Sequence, residues 1–153
     1  MAELKREYYE SGELKSECFE INGKMYDEFK QYHPNGQLYI ICLYIDDKLH
    51  GEQKLYHENE QLWEIYNCID GKINGEYKSY YENGQLEQIY NYIDDKKIGE
   101  YKSYWENGQL QDICIYKDDK INGEYKRYDL NGELVEHSVY NDGIIIKIET
   151  NNT

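Results

Sequence analysis

A unit of 24 residues recurs six times along this chain without insertion or deletion, and that periodicity constrains the fold more than any single residue does. Tyr8, Tyr32, Tyr56, Tyr80, Tyr104 and Tyr128 occupy one column when the copies are laid over one another, and Leu14, Leu38, Leu62, Leu86, Leu110 and Leu134 occupy another. Self-similarity at a fixed period of this length marks a solenoid or an extended repeat array, in which each unit buries apolar residues against the next. Arrays of this kind present a long regular surface rather than the deep pocket that chemistry needs, so binding or organising other molecules is the expected kind of role.

Residues 73–96 are the clearest copy. Two runs rich in tyrosine and isoleucine, EYKSYY and LEQIYNYI, flank Glu82-Asn83-Gly84-Gln85. Asn-Gly between such runs is a strong short-range signal for a β-hairpin. A second connection, Asp94-Asp95-Lys96-Lys97-Ile98-Gly99, carries the chain to the next copy through residues suited to a turn. One Pro, 19 Tyr and no sustained 3.6-residue apolar period agree with strands. The expected fold is all-β: six tandem 24-residue β-hairpin repeats forming an elongated, twisted antiparallel single-layer sheet. At two strands per repeat, each copy adds about 10 Å and the array measures about 60 Å. The repeats run 1–24, 25–48, 49–72, 73–96, 97–120 and 121–144, with 145–153 expected as a closing strand and disordered tail.

The turn sets the register. A two-residue type I′ turn would pair Tyr81 with Leu86, whereas a type I turn with a G1 bulge at Gly84 pairs Tyr80 with Leu86, the two columns that never vary within the chain. The second is expected. Strict alternation from that pairing puts Tyr80, Leu86, Tyr90 and Tyr92 on one face and Tyr77, Ile89 and Ile93 on the other.

Charge and cysteine usage narrow the function. The net charge of −14 is spread over all six copies, which repels phosphate backbones and anionic headgroups. Nucleic acid is therefore not an expected partner, membrane association is disfavoured, and a basic protein would be attracted. The N-terminus MAELKREYYESGEL is charged throughout, and no stretch approaches the roughly 18 apolar residues of a membrane span, so a soluble cytoplasmic protein is expected. Cys18, Cys42 and Cys114 share one column, with Cys68 two residues further along its copy. Equivalent residues of neighbouring copies lie about 10 Å apart, beyond the roughly 7 Å a disulfide spans, so free thiols in a reducing compartment are expected.

Residues that carry chemistry elsewhere have plainer readings here. Asp46-Asp47, Asp94-Asp95 and Asp118-Asp119 lack the spacing of a calcium loop and have lysine neighbours, so they read as turns. His33 and His57 sit one period apart, about 10 Å, too far to share a metal. No nucleophile, base and orienting group recur in usable context, and no phosphate-binding glycine loop is present. No enzyme activity, metal or cofactor is expected. One column stands out beside the invariant tyrosine: His33, His57, Tyr81, Trp105 and Asp129 vary while the tyrosine does not. His57, Tyr81 and Trp105, together with Tyr39 and Trp63 in a second column, are the candidate partner-binding residues, because buried Trp and Tyr dominate interface energetics. The same rings could instead only extend stacking between copies.

The pattern G-E-Y-K-x-Y-x-x-N-G-Q-L, present at residues 75–86 and 99–110 and with changes at 51–62 and 123–134, resembles the MORN-repeat family. More closely it resembles the variant MORN repeat found in bacterial proteins, some of them antitoxin-like, and in large DNA viruses. The resemblance implies β-hairpin arrays acting as protein-interaction or scaffold modules. It also suggests an alternative, an antitoxin or immunity protein masking a basic partner by acidic charge complementarity. The family's turn glycine appears as Gly12, Gly36, Gly84, Gly108 and Gly132, but Glu60 replaces it in the third copy, where a strained or differently shaped turn is expected. The run Ile144-Ile145-Ile146 reads as the closing strand, and an exposed apolar edge there would favour pairing with a second copy.

Overall fold

The computed structural model describes residues 1–148. The strands are β1 (Ala2–Tyr8), β2 (Leu14–Ile21), β3 (Lys24–Tyr32), β4 (Leu38–Ile45), β5 (Lys48–Tyr56), β6 (Leu62–Ile69) and β7 (Lys72–Ile73). They continue as β8 (Gly75–Tyr80), β9 (Leu86–Ile93), β10 (Lys96–Tyr104), β11 (Leu110–Lys117), β12 (Lys120–Tyr128), β13 (Leu134–Asn141) and β14 (Ile144–Ile148). All belong to one open antiparallel sheet laid down in chain order, with β7 pairing β6 ahead of β8 in a single strand position interrupted at Asn74. Residues 149–153, expected as a tail, lie outside the described residues.

The two kinds of turn follow from backbone chemistry. At each Asn-Gly turn the residue after the invariant tyrosine closes a type I turn: Gly84 N–H donates to Tyr81 O at 2.8 Å and Tyr81 N–H to Gln85 O at 2.9 Å. Gly84 has φ +81°, the left-handed geometry of a G1 bulge, and Tyr80 pairs with Leu86 as expected. The connecting turns put two consecutive residues at positive φ, as in Asp94 (48°) and Asp95 (67°), the geometry of a type I′ turn. Aspartate tolerates that region better than most side chains, which accounts for the paired acids.

The face assignment needs correction. Tyr80 pairs with Leu86, but Ser79 pairs with Gln88, so Glu87 is an extra, bulged residue. The same break recurs opposite Lys15, Tyr39, Trp63, Gln111 and Val135. A one-residue bulge reverses the alternation beyond it. Tyr90 and Tyr92 therefore share a face with Tyr77, with ring centroids 4.8 and 6.1 Å from it, rather than with Tyr80 and Leu86. Ile89 pairs across to Lys78 on the opposite face.

The core is a band of rings along that first face. Tyr66, Tyr77, Tyr90 and Tyr101 stack in sequence at 5.8, 4.8 and 5.5 Å, with Tyr92 and Tyr116 edge-on beside them. Each such pair contributes about 0.5–1.5 kcal/mol beyond its buried area. Cys42, Cys68, Cys114, Ser79, Ser103 and Gln53 are buried along the band. All four cysteines are free, and burial pushes the Cys42 and Cys114 thiols up to about 12.

Candidate partner-binding surfaces

The two long edges of the ribbon are held by different bonds. On the hairpin edge, the residue after each invariant tyrosine reaches across to the backbone carbonyl of the next invariant tyrosine. Tyr9 Oη donates to Tyr32 O at 2.7 Å, His33 Nε2 to Tyr56 O at 2.9 Å and His57 Nε2 to Tyr80 O at 2.9 Å. Tyr81 Oη donates to Tyr104 O at 2.7 Å and Trp105 Nε1 to Tyr128 O at 3.1 Å. A carbonyl only accepts, so both histidines carry their proton on Nε2. Tyr, His and Trp share a planar ring with a donor at its far end, and that common property explains how the column varies. In the sixth copy Asp129 folds back onto its own turn and accepts from the backbone N–H groups of Asn131 and Glu133, both at 2.9 Å.

On the connector edge, in the second to sixth repeats, the second residue of the turn bonds back to the first residue of its own repeat and closes the base of the hairpin. Asp95 N–H donates to Ile73 O at 3.0 Å while Asp95 Oδ1 accepts from Ile73 N–H at 2.7 Å. Asp47 with Met25 and Asp119 with Lys97 repeat the arrangement. Gly71 and Gly143 keep only the backbone half of it. The paired acids are thus structural clasps. Among the described residues no three His, Cys, Asp or Glu side chains gather as a metal site.

The predicted site residues fall into two groups. The bulge re-aims Tyr39 and Trp63 along the hairpin edge, where their rings stack at 6.4 Å. His33 lies 4.8 Å from Tyr39, and His57 lies 5.5 Å from Trp63. Tyr39, Trp63 and His57 therefore form one continuous strip. Tyr81 and Trp105 continue the bonding column, but their bulge neighbours are Glu87 and Gln111, so the aromatic strip is confined to the second and third repeats. Reach between copies was legible from the shared donor chemistry of the column. The bulge left no mark in residue type, since Lys, Tyr, Trp, Glu, Gln and Val all occupy it.

The face opposite the stacked rings carries a second apolar row, to which Ile89 and Ile93 belong without Tyr77. Ile41, Ile65, Ile89 and Ile113 form a row there, each paired across strands to Lys30, Lys54, Lys78 or Lys102. Each lysine in turn bonds the glutamate two residues earlier on its own strand, as Lys54 does with Glu52 at 2.6 Å. Beside the row, Leu43, Ile45, Ile69, Ile93 and Ile115 are 41–55% exposed. Hollows of about 230–300 Å³ recur along this face: Ile41 lines the first, Ile65 the next and Ile113 another. They are open depressions at the low end of small-molecule sites.

Charge is divided unequally between the edges. The hairpin turns hold no Lys or Arg and carry Glu58, Glu60, Glu82 and Glu106, whereas five of the six connector turns include a lysine. Within the ring face, Asp112 is the best-satisfied acid. Burial alone would raise it, but bonds from Arg127 Nε (2.8 Å), Tyr125 Oη (2.6 Å) and Ser103 Oγ (2.9 Å) hold it below the usual carboxylate range. The sheet order ends at β1 and β14, and Ile144, Ile146 and Ile148 on β14 are exposed.

An open hairpin sheet with interlocked edges and shallow depressions defines a repeat module. The chain belongs to the MORN repeat variant family, whose model matches residues 4–19, 28–46, 49–67, 73–94, 97–118 and 121–142. A search of curated proteins finds no match to this chain. MORN repeats are generally non-enzymatic modules that commonly bind proteins or membranes. Among the described residues no helix is long and apolar enough to cross a membrane.

Proposed function

We propose that this chain is a non-catalytic scaffold or protein-binding module that docks its partner on the isoleucine face. The supporting observation is the uncovered apolar row of Leu43, Ile45, Ile69, Ile93 and Ile115, which continues from repeat to repeat between charged walls. Contiguous exposed apolar surface is costly in water and is characteristic of contact sites. Tyr39, Trp63 and His57 extend the contact around the hairpin edge, with Tyr81 and Trp105 beyond them. Immobilised wild-type chain should retain a partner that the triple variant Ile65→Lys, Ile89→Lys, Ile113→Lys does not, with both proteins folded by circular dichroism. Equal retention by the two would refute this face as the docking surface.

The hairpin turns, with glutamates and no cation, favour a basic partner, and on that observation rests the second reading, an antitoxin or immunity protein masking a basic surface. Such a complex should weaken steeply between low and high salt, whereas a partner seated on the isoleucine face should resist salt. Self-association through β14 would instead appear as a concentration-dependent mass in sedimentation. Binding to anionic vesicles at physiological salt would contradict the protein-binding reading.

A further inference from the structure

One residue breaks the pattern of its column on the ring face. Met25, Leu49, Ile73, Ile121 and Ile145 are apolar, and the fifth copy has Lys97 in the same place. Its Nζ lies 4.3 Å from the ring centroid of Tyr90, 5.5 Å from that of Tyr116 and 5.9 Å from that of Tyr101. Three aromatic rings thus surround an ammonium that makes no ion pair among the described residues. Its neighbour Lys96 points elsewhere and reaches Asp118 Oδ1 at 3.4 Å. Asp119, the carboxylate whose charge acts on Lys97, has its Oδ1 engaged by the Lys97 backbone N–H at 2.8 Å.

We propose that Lys97 is an acylation site of this protein, its amine taking an acyl group from an activated, uncharged donor such as a thioester. The rings shield the half-buried nitrogen in part from water, no carboxylate pairs with it among the described residues, and the slot otherwise holds a neutral side chain. Burial accordingly lowers the lysine's affinity for its proton, with Asp119 opposing, whereas the lysines paired with glutamate on the other face are shifted upward. A neutral amine is the nucleophilic form. The ammonium first loses a proton to water, and the freed lone pair attacks the donor's carbonyl carbon. The carbon–sulfur bond then breaks, the thiolate leaves with the electron pair, and the second nitrogen proton neutralises it, leaving an amide. The product is uncharged, as the other members of the column are, and one positive charge is lost from a chain already at −14. An anionic donor is repelled by that same field.

The test uses the full chain and a neutral probe, S-acetyl-N-acetylcysteamine, from pH 7 to 9. Residual amines are then labelled with deuterated acetic anhydride in denaturant, and each lysine is read by mass spectrometry. Lys97 is expected to acetylate about fivefold faster than the exposed connector lysines Lys48 and Lys72 at pH 7.5, and to reach half its maximal rate at lower pH than they do. Asp119→Asn keeps the oxygen that accepts from the Lys97 backbone and removes the charge, so it should accelerate Lys97 while leaving Lys48 and Lys72 unchanged. Lys97 labelling no faster than those two, or with the same pH dependence, would overturn the proposal, as would indifference to Asp119→Asn. Acetyl phosphate should label Lys97 more slowly than the thioester, and the reverse order would rule out the uncharged donor.

Discussion

Replacing Glu60 with glycine should stabilise the array. Glu60 adopts φ 67°, the left-handed conformation that Gly84 and Gly108 occupy in the following repeats. Its turn has the same bonds as theirs, with Glu60 N–H to His57 O at 3.0 Å and His57 N–H to Gln61 O at 2.9 Å. The turn is therefore strained and unchanged in shape. A Cβ in the left-handed region costs about 1–2 kcal/mol, and the greater unfolded-state entropy of glycine takes back about 0.4–1 kcal/mol. The net gain for Glu60→Gly is about 1 kcal/mol, or about 2–4 °C in Tm for a chain of this size. Removing one of the acids from a chain of −14 also helps, so Glu60→Gln is the control that separates charge from backbone conformation. The reciprocal change, Gly108→Glu, should cost about as much through its positive φ, because the 2.9 Å approach of a Cβ to Gln85 Oε1 is relieved by movement of that flexible side chain. Thermal unfolding by circular dichroism measures all three, and amide exchange at Tyr56 and Leu62 locates the effect if the array does not unfold in one step. A Tm for Glu60→Gly no higher than that of Glu60→Gln would refute the left-handed turn and the energetic reasoning with it.

Three further outcomes are expected. Tyr81→Phe removes the donor to the Tyr104 carbonyl and should cost about 1 kcal/mol, whereas Tyr81→His should retain most of the stability because His57 makes the same bond one repeat earlier; equal denaturant midpoints for the two variants would contradict the bonding column. Asp95→Asn keeps both the acceptor for Ile73 N–H and the tolerance of positive φ, so it should be near neutral, while Asp95→Ala loses both and should cost about 1–2 kcal/mol in chemical denaturation. The buried Cys42 and Cys114 thiols hold their protons to about pH 12 when folded and release them near the ordinary thiol value when unfolded. The unfolded state therefore binds fewer protons in that interval and stability falls as pH rises through it, so a Cys42→Ala, Cys114→Ala variant should lose less stability between pH 8.5 and 10.5 than wild type in denaturant titrations.

Much of the fold was legible in the chain. Tyr80 and Leu86 never vary, and with Asn83-Gly84 between them only one turn pairs them, so the hairpin register followed from local chemistry. Glu60 announced its strain by standing in a glycine column. The candidate strip was legible only in part: Tyr39, Trp63 and His57 do meet, but their meeting depends on the bulge that re-aims the first two. A bulge is a property of two paired strands, and no single residue type is required to make it. The isoleucine face was mixed with the ring face for the same reason, since strict alternation placed Tyr90 and Tyr92 with Tyr80 and Leu86 and left Ile89 beside Tyr77.

The amino-acid sequence by itself determined the repeat length, the hairpin unit, the antiparallel order and the acidic character, because each rests on neighbours within one copy. Tertiary structure alone decided which residues share a face and what joins one copy to the next. Bonds such as Trp105 to the Tyr128 carbonyl and Tyr81 to the Tyr104 carbonyl span almost one full period. They exist only once successive hairpins lie side by side. The cage around Lys97 has the same origin, drawing Tyr90, Tyr101 and Tyr116 from three strands, so pairing across the sheet rather than order along the chain sets that chemistry.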